Sequence, residues 1–273
     1  MAHITKETME KRKIALPPLP EQQKIAEILT AQDAVIALMQ KQIELLQKQK
    51  KAFLQKMFPK KGSNVPEIRF AGFTGEWERR KFSDIATTRR GLTYKPDDTV
   101  SGNKRVLRSS NINEDTFEMH EDDVFVNEGA VNIPYVKNGD ILITSANGSS
   151  RLVGKHAIVR DIPDNCVVHG GFMLLASSDE PEFVNALMSS QWYTKFINVY
   201  VAGGNGTIGN LNKNDLDEQT VLVPVKNERE KIGAFFLQLD NLITLHQRKV
   251  EIEQQKKKAL MQLLLTGKVR VKT

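Results

Sequence analysis

The sequence has almost no cysteine. Cys166 is the single one in 273 residues, so the chain can form no internal disulfide and no cysteine-based metal cluster. It also lacks a long hydrophobic run. No stretch approaches the ~18 apolar residues of a membrane span, and no apolar run follows the basic residues near the N-terminus, as a secretory signal requires. A cytoplasmic setting without membrane contact is therefore expected. The five histidines, at 3, 120, 156, 169 and 246, show no metal-site spacing. Ser145, Ser149 and Ser150 lack the G-x-S-x-G setting of a nucleophile elbow. No catalytic set and no metal site can be assembled, so a non-catalytic protein is expected. What charge there is leans positive: 39 Lys and Arg against 33 Asp and Glu give +6, a mild pointer to a polyanionic partner.

Glycine and proline are missing from residues 21–58, and residues 228–265 hold only Gly233. These two stretches belong to one segment present twice. Residues 4–61 align with 211–268 without a gap, at the constant offset of 207 that separates Ile25 from Ile232. Pro17 meets Pro224, Glu21 meets Glu228, Asp33 meets Asp240, Ile36 meets Ile243, Leu38 meets Leu245, and Lys50-Lys51-Ala52 meets Lys257-Lys258-Ala259. The period is too long for a solenoid. It describes like segments bracketing a different domain.

In each copy an extended stretch ends at proline, an acidic residue follows where a helix dipole favours it, and a helix of roughly 57 Å is predicted. The seam of the first reads Ile25, Ile28, Gln32, Val35, Met39, Ile43, Leu46, Lys50, Phe53, Met57. The second reads Ile232, Phe235, Leu239, Leu242, His246, Val250, Glu253, Lys257, Leu260, Leu264. This is a coiled-coil stripe with one extra step of four, expected at Met39 to Ile43. Two matched helices in one chain pack most simply on each other, antiparallel or with partners, as scaffold or as a spacer fixing a distance.

Between the helices the pattern is mixed. Short buried strands are predicted at 140–144, 156–159, 166–169 and 172–175, and one amphipathic helix at 182–199. The fold class expected is α+β: one globular mixed α/β domain flanked by two long helices that form a coiled-coil spacer.

Two motifs point to enzymes and lack the setting. Gly204-Asn205-Gly206-Thr207-Ile208-Gly209 fits G-x-G-x-x-G, yet no βαβ unit surrounds it. A glycine loop that lets backbone N–H groups approach a phosphate suits it better. Asn132-Ile133-Pro134-Tyr135 is one residue away from the Asn-Pro-Pro-Tyr of amino-methyltransferases, with no glycine-rich cofactor motif before it. The basic and amide-rich loops carry more. Arg89, Arg90 and Lys95 lie in the first, Arg105, Arg108, Ser110 and Asn111 in the second, and Asn147, Ser149 and Arg151 in the third. Arg and Asn read guanine and adenine edges, while Lys, Ser and backbone N–H groups hold phosphates. With Asn205 and Thr207 in the glycine loop, these are the candidate DNA contacts.

The domain closing on Asn210-Leu211-Asn212-Lys213 with Asp215-Leu216, followed by a strand, proline, glutamate and a long helix, resembles the specificity subunit of type I restriction-modification enzymes. Pro17-Pro18-Leu19-Pro20-Glu21-Gln22-Gln23-Lys24-Ile25 is similar to that family's L-P-P-L-x-E-Q-x-x-I signature. So are Gly75-Glu76-Trp77-Glu78, Phe82-Ser83-Asp84-Ile85 and Asn138-Gly139-Asp140-Ile141-Leu142. The resemblance implies a subunit without chemistry of its own. It would read double-stranded DNA and dock modification (methyltransferase) and restriction subunits, which would use S-adenosylmethionine, ATP and magnesium.

The family has two target recognition domains; this chain shows one, like a half-length form, natural or truncated. Residues 1–20 are then the end of a preceding repeat and a connecting strand, 21–58 the first helix and 59–65 a linker. Residues 66–223 are the recognition domain, 224–227 a connector, 228–268 the second helix and 269–273 a tail. A homodimer would restore two heads. The competing readings are a stand-alone methyltransferase or nucleotide-binding enzyme, and a coiled-coil interaction protein without a DNA role.

Overall fold

The structure, a computed structural model, describes residues 16–200 and 209–272. Both long helices are there. Helix α1 spans Leu19–Lys56, and a second, α5 in chain order, spans Lys226–Leu265. Each starts two residues earlier than expected. In α1 this is possible because Pro20 falls in the first turn, where its missing N–H leaves nothing unpaired, while Gln22 N–H closes on Pro18 O at 3.0 Å. Helix α5 stops short of 268 because Gly267, at φ 71°, turns the chain out of the helix; its N–H bonds Leu264 O at 3.3 Å.

The described residues form two units, one comprising the chain up to Lys48 and from Asp240 onward, the other Gln49–Leu239. In the first, the two helices run antiparallel, since low numbers on one meet high numbers on the other. Gln32 Nε2 donates to Glu253 Oε2 at 2.5 Å, Asp33 pairs with Lys257, and Glu21 accepts two bonds from Arg270, at 2.7 and 2.6 Å. The seam differs from expectation at one register position in both copies. Ile36 and Ile243 are buried, at 8% and 7% exposure, while Val35 and Leu242 are exposed. The steps of four therefore fall at Ile28–Gln32–Ile36 and at Phe235–Leu239–Ile243. Adjacent β-branched and leucine side chains gave the sequence pattern two equal choices, and packing took the same one twice.

The second unit holds the mixed domain. Strands β1 (Glu78–Lys81) and β11 (Thr220–Val223) pair antiparallel where the chain enters and leaves it. A four-stranded antiparallel sheet has the order β2 (Thr87–Arg90), β10 (Met173–Ser177), β7 (Ile141–Thr144), β8 (His156–Ile158). A three-stranded sheet has the order β6 (Val124–Val126), β3 (Thr99–Leu107), β9 (Val167–His169), with β3 and β9 parallel. Strands β4 (Ile112–Asn113) and β5 (Thr116–Phe117) make a hairpin.

The run Ile-Leu-Ile-Thr in β7 is apolar without alternation because both faces of its sheet are covered. Ile141 and Ile143 join one core with Phe58, Phe183 and Phe236, while Leu142 joins another with Leu107, Met173 and Leu175.

The helix expected over 182–199 is two helices, α2 (Pro181–Met188) and α3 (Gln191–Tyr200). Ser189 and Ser190 separate them. The Ser189 hydroxyl turns back onto Asn185 O at 3.0 Å, the local bond by which serine competes with a helix. A short helix α4 (Lys213–Asp217) follows, with the Asn212 side chain accepting from Asn214 N–H as its cap. Gly233 on α5 lies where α2 comes closest: a Cβ there would stand 2.8 Å from Phe183 N.

Candidate nucleic-acid interface

Topology brings the loops together. Leu107, the last residue of β3, lies beside His169, the last of β9. Thr144, the last of β7, pairs with Met173, the first of β10. Leu92, just past β2, bridges Gly170. The segments leaving β2, β3 and β7 and the turn between β9 and β10 therefore open at one place. The approach is close. A Cβ on Gly91 would stand 1.9 Å from Gly170 O, so only glycine fits there. Leu92 N–H bonds His169 O at 2.7 Å, and Gly170 N–H bonds Leu107 O at 2.9 Å. The third loop is tied to the second by Asn147 Nδ2 donating to Ser109 Oγ at 2.9 Å. Ala146 bridges Asn210, which brings in the chain that follows the glycine motif.

Between these segments lies a cleft of about 690 Å³, lined on its apolar side by Leu92, Tyr94, Pro96 and Phe172 and on its polar side by Arg108 and Asn147. Phe172 is 74% exposed, yet its backbone is pinned: its carbonyl accepts from Ser145 N–H at 2.9 Å and from Ala146 N–H at 3.1 Å. A large aromatic ring is thus presented to solvent from a rigid turn. The sequence pattern had placed Phe172 at the start of a strand. The better signal was the pair of glycines just before it.

Of the expected contacts, Arg108 and Asn147 line the cleft, while Arg90, Lys95, Ser110, Ser149 and Arg151 are exposed on the loops. Three others, also expected to reach DNA, already hold partners within the fold. Asn111 is fully buried; its oxygen accepts from Arg108 N–H at 2.8 Å, and its amide donates to Glu118 O and Asp123 Oδ1, both at 2.9 Å. Arg105 donates to His120 O at 2.7 Å, pairs with Asp123, and lies over the Phe125 ring. Arg89 donates to Tyr135 O at 2.9 Å and to Asp140 at 3.2 Å. These side chains build the loops. Asn205 and Thr207 lie outside the described residues.

Electrostatics follows this division. Burial pushes the Asp123 carboxyl up, but bonds from His120 N–H, Asn111 and Arg105 outweigh it and hold Asp123 below the usual carboxylate range. His169, buried behind the cleft floor, is pushed down to about 4, first by burial and then by the Arg89 guanidinium. Among the described residues no group of three or more His, Cys, Asp or Glu is placed to hold a metal ion, and no helix is long and apolar enough to cross a membrane.

The class defined by this geometry is a mixed α/β domain that gathers basic and amide-bearing loops at one edge and is bracketed by repeated long helices. The type I restriction modification DNA specificity domain model matches residues 1–48 and 74–254, and the chain belongs to that family. It is 28% identical over 287 residues to the type I restriction enzyme MjaVIII specificity subunit of Methanocaldococcus jannaschii, covering 99% of this chain and 65% of that one. The fold is similar to that of the HsdS subunit of Thermoanaerobacter tengcongensis, with a TM-score of 0.53 at 14% identity over 98% of this chain and 64% of that one. It is also similar to the S subunit of the type I restriction-modification system of M. genitalium, with a TM-score of 0.58 at 16% identity over 90% and 61%. The chain thus spans less than two thirds of the length of each of these relatives.

Proposed function

We propose that this chain is the sequence-reading component of a type I restriction-modification complex and that its mixed domain reads one half of a bipartite DNA target. The observation that carries this reading is the convergence of the three basic loops with the β9–β10 turn around one cleft. Arg108 there supplies the bidentate donors that distinguish base edges, and Arg90, Lys95, Ser149 and Arg151 surround it with phosphate-holding groups, while Asn147, donating to Ser109 Oγ and accepting from Ser149 N–H, fixes the shape of the two loops. Phe172 adds an apolar surface for a thymine methyl group.

The paired helices dock the modification subunits, and through that assembly the restriction subunit. A second apolar stripe, off the seam, supports this. Val35, Leu38 and Leu45 are exposed on α1, and Leu242, Leu245 and Ile252 are exposed on α5, at the same offset of 207. Leu38 is 61% exposed and Leu245 49%. Solvated faces do not place large apolar residues at matched positions twice, whereas two surfaces meeting the same kind of partner do. S-adenosylmethionine, ATP and magnesium belong in this reading to the partner subunits, and the chain itself performs no chemistry.

Methylation mapping tests it: DNA treated with this chain and a modification subunit should carry methyl groups at one defined sequence. Uniform or absent methylation, with wild-type DNA binding that does not weaken as salt rises, would remove the reading.

A further inference from the structure

A second cleft in the mixed domain shares no residue with the loop cleft. It has a volume of about 450 Å³ and lies between the linker after α1, strands β1 and β11, and helix α3. Lys60 and Lys61 of the linker, Arg79 of β1 and Lys195 of α3 line it, and no carboxylate does. Lys60 is paired with Glu67; Lys61, Arg79 and Lys195 have no ion pair among the described residues and are exposed. One wall is an aromatic ladder at helical spacing, Trp192, Phe196 and Tyr200, with neighbouring centroids 6.2 and 5.0 Å apart. It ends at the surface, where Val199 and Tyr200 are exposed.

Three cations from three different elements, left without counter-ions around an apolar wall, fit a ligand in which anionic and apolar groups alternate. A nucleic-acid backbone has that chemistry, phosphates separated by the apolar faces of deoxyribose. Resting on the DNA-reading function above, we propose that this cleft holds the sugar–phosphate backbone of duplex DNA outside the half-site that the loops read. It is an anchor that adds affinity and no sequence preference, because three point charges and a sugar-facing wall do not distinguish one base pair from another.

The test uses the full chain and a duplex carrying its mapped target. The triple variant K61Q/R79Q/K195Q removes three charges from exposed positions; K61R/R79K/K195R keeps them and controls for folding. Each phosphate contact contributes about 0.9 to the slope of log K against log salt. The neutralised variant should therefore show a slope shallower by roughly 2 to 3 with an unchanged methylated sequence, and the charge-keeping variant should bind like wild type. An unchanged slope overturns the anchor. So does an unchanged slope with lost binding of the modification subunit, which would make the cleft a protein-docking surface. A changed methylated sequence overturns it as well, since the cleft would then be reading bases. If wild type itself shows no salt-dependent binding, the DNA-reading function fails along with the anchor.

Discussion

At the scale of single residues, the loops around the proposed reading cleft divide into side chains held by internal partners and side chains left exposed. Asn111 and Arg105 have the chemistry of base readers, and their one-dimensional context gives no hint that Asp123 and Glu118 O consume it. Phe172 is the opposite case, an apolar residue that a strand pattern absorbs and the fold leaves outside. Phe172→Ala removes no internal contact larger than the exposed ring makes, so folding should be unaffected. Its affinity for the mapped target should fall about fourfold or more, as expected when the apolar contact with one methyl group, about 0.8 kcal/mol, is lost, while binding to unrelated duplex stays the same. A fluorescence titration against both duplexes checks this; equal losses on both would place the ring away from the bases.

His169 carries a prediction of its own. In the unfolded chain an ordinary imidazole takes up a proton near pH 6.5, whereas in the folded chain it stays neutral down to about 4. The unfolded state therefore binds more protons between those values, and stability falls as pH drops through that window, levelling below it. From pH 7 to 5 the loss is about 2 kcal/mol. Urea unfolding at the two values should show it, and His169→Leu should lose less over the same interval. A variant with the same pH dependence as wild type would contradict the assignment.

At the scale of elements, the repeat was legible because two long helices write their periodicity directly into spacing. What was not legible was any choice between neighbours of equal hydrophobicity: Val35 against Ile36, Leu242 against Ile243. The break between α2 and α3 was also hidden, because apolar spacing continues across Ser189 and Ser190 while the hydroxyl bond that ends the helix is invisible to periodicity. The glycine in α5 marks a contact that its counterpart lacks. Gly233 receives the backbone of α2, while Ala26, at the equivalent position of α1, is exposed. Gly233→Val should destabilise the mixed domain by about 1–3 kcal/mol, the usual cost of overpacking, although leaving glycine favours the helix itself. Ala26→Val should stay within about 0.5 kcal/mol of wild type. Thermal unfolding of the two variants measures the contrast, and similar melting shifts would mean that α2 does not need the close approach.

At the scale of the whole molecule, each long helix opens on a buried glutamate forked by an arginine that follows the other helix in the chain. Glu21 is held by Arg270, and Glu228 by Arg69 at 2.7 Å through both oxygens. The Arg270 guanidinium holds the Glu21 carboxyl below its usual range, so this clamp is present at neutral pH and is lost only as pH falls through that lowered value. On the function proposed above, a chain with two equivalent helices and one mixed domain among its described residues carries one reader on a scaffold that repeats. If two chains associate about a two-fold axis, the two readers face the duplex in opposite senses, as two-fold protein symmetry requires of its DNA site. The expected target is then a split sequence whose halves are inverted copies of one another. Light scattering at micromolar concentration should give the dimer mass, and the methylome should show a palindromic pair of half-sites at fixed spacing. A monomer with two unlike half-sites would mean that the second half is read by a different chain.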